Sequence, residues 1–107
     1  MSDEIVQVAT LRVRSGCMEE AIELLRPALA ATHGEAGCLK YALHISQEEP
    51  PSLVMIERWV SPDAVISHRQ EPHLAEVMER LPALLEGTID VVRLDPLPGG
   101  DAVKGQV

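Results

Sequence analysis

Two segments of this chain are apolar on both of their faces, and that limits what can be built from them. Residues 5–13 (IVQVATLRV) and 52–60 (SLVMIERWV) are rich in β-branched and aliphatic side chains and read as strands. In the first, Ile5, Ala9, Leu11 and Val13 share one face while Val6 and Val8 share the other. In the second, Leu53 and Met55 oppose Val54 and Ile56. A sheet made of such strands has to be covered on both sides. The cover cannot be aromatic, because the chain has no Phe and only one Tyr and one Trp, Tyr41 and Trp59. Leu, Val, Ile, Met and Ala must fill the core.

The segments between the strands narrow the fold. From Cys17 to about Thr32, Met18, Ala21, Ile22, Leu25, Ala28 and Leu29 recur at helical spacing, with Glu19, Glu20 and Glu23 at the end where the helix dipole favours them. Pro27 lacks an N–H and is expected to kink this helix. Residues 38–46 alternate as a strand, with Leu39, Tyr41, Leu43 and Ile45 on one face. The turn Glu48-Glu49-Pro50-Pro51 before the next strand is too short for a parallel crossover, so the pair is an antiparallel hairpin. Ser61 caps a short helix that has Pro62 at its first position and Asp63 in its first turn. That helix ends where Pro72 disfavours helical geometry at Glu71. A further helix carries Leu74, Val77, Met78 and Leu81 and stops at Gly87, and 88–95 (TIDVVRLD) is the last strand.

The order strand, helix, strand, strand, helices, strand is that of the α+β, ferredoxin-like βαββαβ sandwich with an antiparallel sheet. At 107 residues there is room for one domain, expected over 1–95, with 96–107 as an extended or disordered C-terminal tail. One chain supplies helices for one face of the sheet only. The expected cover for the other face is the sheet of a second copy, which predicts a homodimer.

The formal net charge is −8, and Lys40 and Lys104 are the only lysines, so nucleic-acid and anionic-membrane partners are disfavoured. No apolar run approaches a bilayer span, and Met-Ser-Asp-Glu does not read as a signal peptide. Cys17 and Cys38 read as two reduced thiols of a cytoplasmic protein rather than a disulfide framework.

Few residues are candidates for chemistry. Trp59 reads either as a core filler or as a stacking wall for a flat ligand. Glu57 shares its strand face and reads as an exposed or salt-bridged carboxylate, since burial would be costly unless it were paired or protonated. His68 is suited to proton transfer near neutral pH or to capping, and His73, at a helix start, to capping or structural hydrogen bonding. The five-residue spacing of these two, interrupted by Pro72, disfavours a helical metal site. His33 and His44 read as structural or exposed. No nucleotide loop, dinucleotide fingerprint, nucleophile elbow or cysteine-hydrolase signature occurs. Acid–base chemistry in an apolar pocket, or simple binding, remains.

The stretch Thr32-His33-Gly34-Glu35-Ala36-Gly37-Cys38-Leu39-Lys40-Tyr41, followed by Glu57-Arg58-Trp59, His68 and Pro72-His73-Leu74, resembles the antibiotic biosynthesis monooxygenase domain over about residues 5–95. The resemblance implies a dimeric α+β barrel in which two ferredoxin-like sheets pack face to face. It implies a small quinol or polycyclic phenol bound between sheet and helices and oxidised by O2 without metal or flavin, hence no cofactor. The family's strand Trp maps onto Trp59 and its helix His onto His68. Trp59 is then expected to orient the ring and His68 to move the proton, with His73, Tyr41, Met55 and Glu57 as the substrate wall. Met55 stands where some family enzymes carry Asn, and it cannot supply that hydrogen bond. The haem-degrading branch needs an Asn in the first strand, and this chain has no Asn, so haem degradation is not expected. The alternative is a non-catalytic dimeric ligand-binding or stress-response module using the same pocket.

Overall fold

A computed structural model describes residues 3–107. The elements are β1 (Ile5–Leu11), α1 (Met18–Thr32), β2 (Cys38–Ile45), β3 (Leu53–Trp59), α2 (Pro62–Arg69), α3 (Ala75–Arg80) and β4 (Asp90–Leu94). Among the described residues the strands form one antiparallel sheet in the order β2-β3-β1-β4. This is the ferredoxin-like α+β fold that the order of elements implies. The register sets Gln7 opposite both Glu57 and Arg93, and Tyr41 opposite Glu57.

The core lies between one sheet face and the helices. Ala9, Leu11, Leu53 and Met55 from the strands meet Ala21, Leu24, Leu25 and Ala28 of α1 and Leu74, Val77, Leu81 and Leu84 of the later helical segment. On the other face Val8, Val54 and Ile56 stay half-buried and Val92 and Leu94 are exposed. The two-faced strands are thus covered once by the chain itself. At one corner of that open face Val6 is buried, beside a cavity of about 320 Å³ that it lines together with Arg58, Leu94 and parts of the segment after β4. That segment, 96–107, ends in a turn in which the Asp101 carboxylate accepts from the backbone N–H groups of Val103 and Lys104.

Most of the differences from the sequence reading come from prolines. α1 continues through Pro27, which stands on its exposed side. The region after Pro72 is not one helix: a 3-10 turn, Pro72–Leu74, leads into α3, and a second, Leu81–Leu84, follows it. Pro82 has no N–H to extend the α-helical ladder, so α3 stops short of it. β1 is shorter than expected because Val13 leaves the sheet and makes an isolated bridge to Leu85. Gly87 takes φ +75°, a conformation suited to Gly, in the turn that leads to β4. No helix among the described residues is long and apolar enough to cross a membrane.

Candidate active site

Between the covered face of the sheet and the helices is a cavity of about 440 Å³. Its walls are largely aliphatic: Ala9 and Leu11 of β1, Met55 of β3, Leu25 of α1, and Leu74, Val77 and Leu81 of the later helical segment. Its polar groups are few: Gln7, Tyr41, Glu57, His68 and Arg69. That volume suits a small organic molecule, and an apolar body with a few convergent polar groups is the usual build of a ligand site.

Register explains the polar floor. Tyr41, Glu57, Gln7 and Arg93 occupy one row across β2, β3, β1 and β4. Arg93 Nε donates to Gln7 Oε1 at 2.9 Å, and Gln7 Nε2 donates to Glu57 Oε1 at 3.1 Å. Trp59 Nε1 donates to the same carboxylate oxygen at 2.9 Å. Glu57 is only 6% exposed, and these two donors offset its loss of water. A charged belt therefore runs beneath an otherwise apolar pocket.

His68 enters from the last turn of α2. Ser61 fixes the start of that helix, its Oγ accepting from the Ala64 N–H at 3.2 Å. The His68 ring lies 4.6 Å from the Trp59 ring and 5.2 Å from the Tyr41 ring, centroid to centroid. Its Nδ1 donates to Glu35 Oε2 at 2.8 Å. With Nδ1 carrying the proton, the neutral imidazole keeps its acceptor lone pair on Nε2. Burial, with the Glu57 and Glu35 carboxylates adding to it, pushes the Tyr41 phenol far above its ordinary range. Tyr41 is thus a hydrogen-bond donor at neutral pH and not a base. The same causes push the half-buried Cys38 thiol up, which makes it a poor nucleophile.

Tyr41, Met55, Glu57 and His68 all line the cavity. Trp59 does not: it is fully buried behind the wall, its N–H taken by Glu57. The expected stacking surface is instead a backing against which the His68 ring leans. His73 is also off the cavity wall; its Nε2 donates to Glu35 Oε2 at 2.8 Å. The interruption at Pro72, which counted against a helical metal site, leaves His73 in a 3-10 turn from which its ring reaches the same carboxylate as His68. His33 and His44 serve backbone carbonyls, those of Tyr41 and Ala42.

Sequence reasoning missed Glu35 and Gln7 as site residues. Glu35 lies in the loop before β2, separated from its partners by 33 and 38 positions, so no local spacing reveals it. Gln7 carried a usable signal, as the polar residue on the face of β1 otherwise occupied by Ile5, Ala9 and Leu11. Among the described residues Glu35, His68 and His73 also form the group whose chemistry suits a metal ion.

Comparison with known proteins agrees with this architecture. The family model described as "Antibiotic biosynthesis monooxygenase" matches residues 4–80. An uncharacterized protein of Synechocystis sp. is 30% identical over 83 residues, which are 78% of this chain and 56% of that relative, so the chain spans little more than half of the relative's length. A solved structure from Mycobacterium tuberculosis is similar with a TM-score of 0.84 at 28% identity, over 92% of this chain and 99% of that one. One from Pseudomonas aeruginosa is similar with a TM-score of 0.83 at 30% identity, over 91% and 97%.

Proposed function

Because this chain belongs to the antibiotic biosynthesis monooxygenase family, we propose that it oxidises a small quinol or polycyclic phenol with O2 in the cavity between sheet and helices. The observation that carries the reading is the Glu35–His68 hydrogen bond at the polar end of that cavity. It fixes the tautomer in which Nε2 of His68 is a base. The substrate ring lies against Met55, Leu74 and Val77, and its oxygen substituents meet Tyr41 and His68.

His68 Nε2 takes a proton from the activated phenol or from the acidic C–H of an anthrone-like ring. The electron-rich anion then passes electrons to O2, and a C–O bond forms. Cleavage of the O–O bond leaves one oxygen in the product as a carbonyl and releases the other as water. The substrate supplies all four electrons, so no external reductant enters. The imidazolium formed on His68 is stabilised by the Glu35 carboxylate, and Tyr41 donates to the developing oxyanion. Trp59 and His73 act as positioning residues, the first by backing the ring of His68 and holding Glu57, the second by holding Glu35. Met55 adds apolar wall where a hydrogen-bonding side chain would bind a second substrate oxygen, which directs the site toward rings with one anionic oxygen.

The same reading includes a homodimer in which the open sheet face packs on a second copy. The test of the reaction is O2 uptake by the protein with a panel of hydroquinones and anthrones between about pH 6 and 8. Uptake above the autoxidation rate is expected. Ligand-dependent change of Trp59 emission with no uptake across the panel would instead favour the binding module.

A further inference from the structure

We propose that Glu35, His68 and His73 form a binding site for a divalent transition-metal ion of the zinc class. Two imidazole nitrogens and one carboxylate oxygen are the donor set that such ions take, leaving one position for water. His68 Nδ1 and His73 Nε2 both lie 2.8 Å from Glu35 Oε2, and the three donor atoms all fall within 4.8 Å of one another. Donors at ordinary zinc distances around a tetrahedral ion stand about 3.3 Å apart, so the two His–Glu separations open by roughly half an ångström and the two imidazole nitrogens, within 4.8 Å of each other, settle at the same spacing. The donors come from three separate pieces of chain: the loop before β2, the last turn of α2 and the 3-10 turn at Pro72. Their side chains are 10%, 7% and 21% exposed, dry enough to strengthen an ionic bond and open enough for entry.

A second observation points the same way. His73 Nδ1 stands 4.0 Å from a Glu71 carboxylate oxygen. A carboxylate behind a ligating imidazole takes the other ring N–H and fixes the ring for the metal. In the metal-free form His73 Nε2 spends its proton on Glu35. With an ion bound, that proton moves to Nδ1, facing Glu71. The proton on His68 Nδ1 moves likewise to Nε2. Both rings stay neutral and no proton leaves the pair overall. One consequence rests on the proposed function: with a proton on Nε2, His68 is no longer a base, so the loaded protein turns over more slowly. The binding itself does not depend on that function.

The test needs no substrate. Cobalt(II) chloride is titrated into the whole chain at about pH 7.5 and followed by visible absorption. Zinc sulfate is titrated in parallel by calorimetry, with the ring-nitrogen resonances of the histidines recorded. One ion per chain is expected, with shifts at His68 and His73 and none at His33 or His44. Affinity should fall by about tenfold or more in His73→Ala and, separately, in Glu35→Gln. His73 is the most exposed of the three, which makes its variant the safer test of the ligand set. Absence of saturable binding below millimolar metal would overturn the proposal, and so would unchanged affinity in His73→Ala with Trp59 emission intact.

Discussion

Trp59 joins the chain's largest fully buried side chain to one of its few buried charges. Its N–H is one of two donors on Glu57, and its ring backs His68. Trp59→Phe should keep most of the packing and cost about 1–3 kcal/mol, since Glu57 loses a hydrogen bond where water is scarce. Trp59→Ala should cost about 3–5 kcal/mol. Urea unfolding monitored by far-UV circular dichroism separates the two. Tyr41 gives a pH prediction. Its folded pKa is raised, chiefly by burial, so the neutral phenol favours the fold. That contribution is complete below the ordinary tyrosine value near 10 and is lost as pH rises from there toward the folded value. Tyr41→Phe, made in a Cys38→Ala background to remove the second raised group, should flatten the alkaline fall in melting temperature. An equally steep fall in the variant would contradict the burial argument.

At the scale of elements, what the sequence told was local, and what it withheld was pairing at a distance. Strands and helices follow from periodicity, and the cap of α2 was legible in Ser61-Pro62-Asp63. Ser61→Ala should lower stability by about 1 kcal/mol and loosen the helix that carries His68. Pro82 broke a stretch whose apolar spacing alone reads as helix. The site was half legible: Tyr41, Met55, Glu57 and His68 line the cavity, while the Glu35 that orients His68 sits in a loop with no periodicity to place it. The same loop holds a packing constraint. A Cβ on Gly37 would lie 2.4 Å from the Ala64 Cβ of α2, a distance no pair of carbons tolerates. Gly37→Ala should therefore push the loop off α2 and cost about 1–3 kcal/mol, with loss of the Glu35–His68 contact visible in the histidine ring resonances.

At the scale of the whole molecule the helices cover one sheet face and leave Val8, Val54 and Ile56 half-buried and Val92 and Leu94 exposed on the other. An apolar face of this kind in a chain with net charge −8 is the face on which the proposed homodimer would pack. Sedimentation equilibrium should give twice the 11.7 kDa chain mass, and Ile56→Glu should shift it to one. The cavity lies on the opposite side of the sheet, so a monomeric Ile56→Glu protein should keep its ligand affinity. The central claim is that His68, oriented by Glu35, removes the proton that lets the substrate anion react with O2. It is tested most directly with 18O2, measuring oxygen incorporation by the wild type and by His68→Gln on the hydroquinone or anthrone that gives the fastest uptake. The account expects one labelled oxygen per product and a rate at least about tenfold lower in the variant, the usual size of a general-base contribution. Equal rates in the two proteins, or product without label, would contradict it.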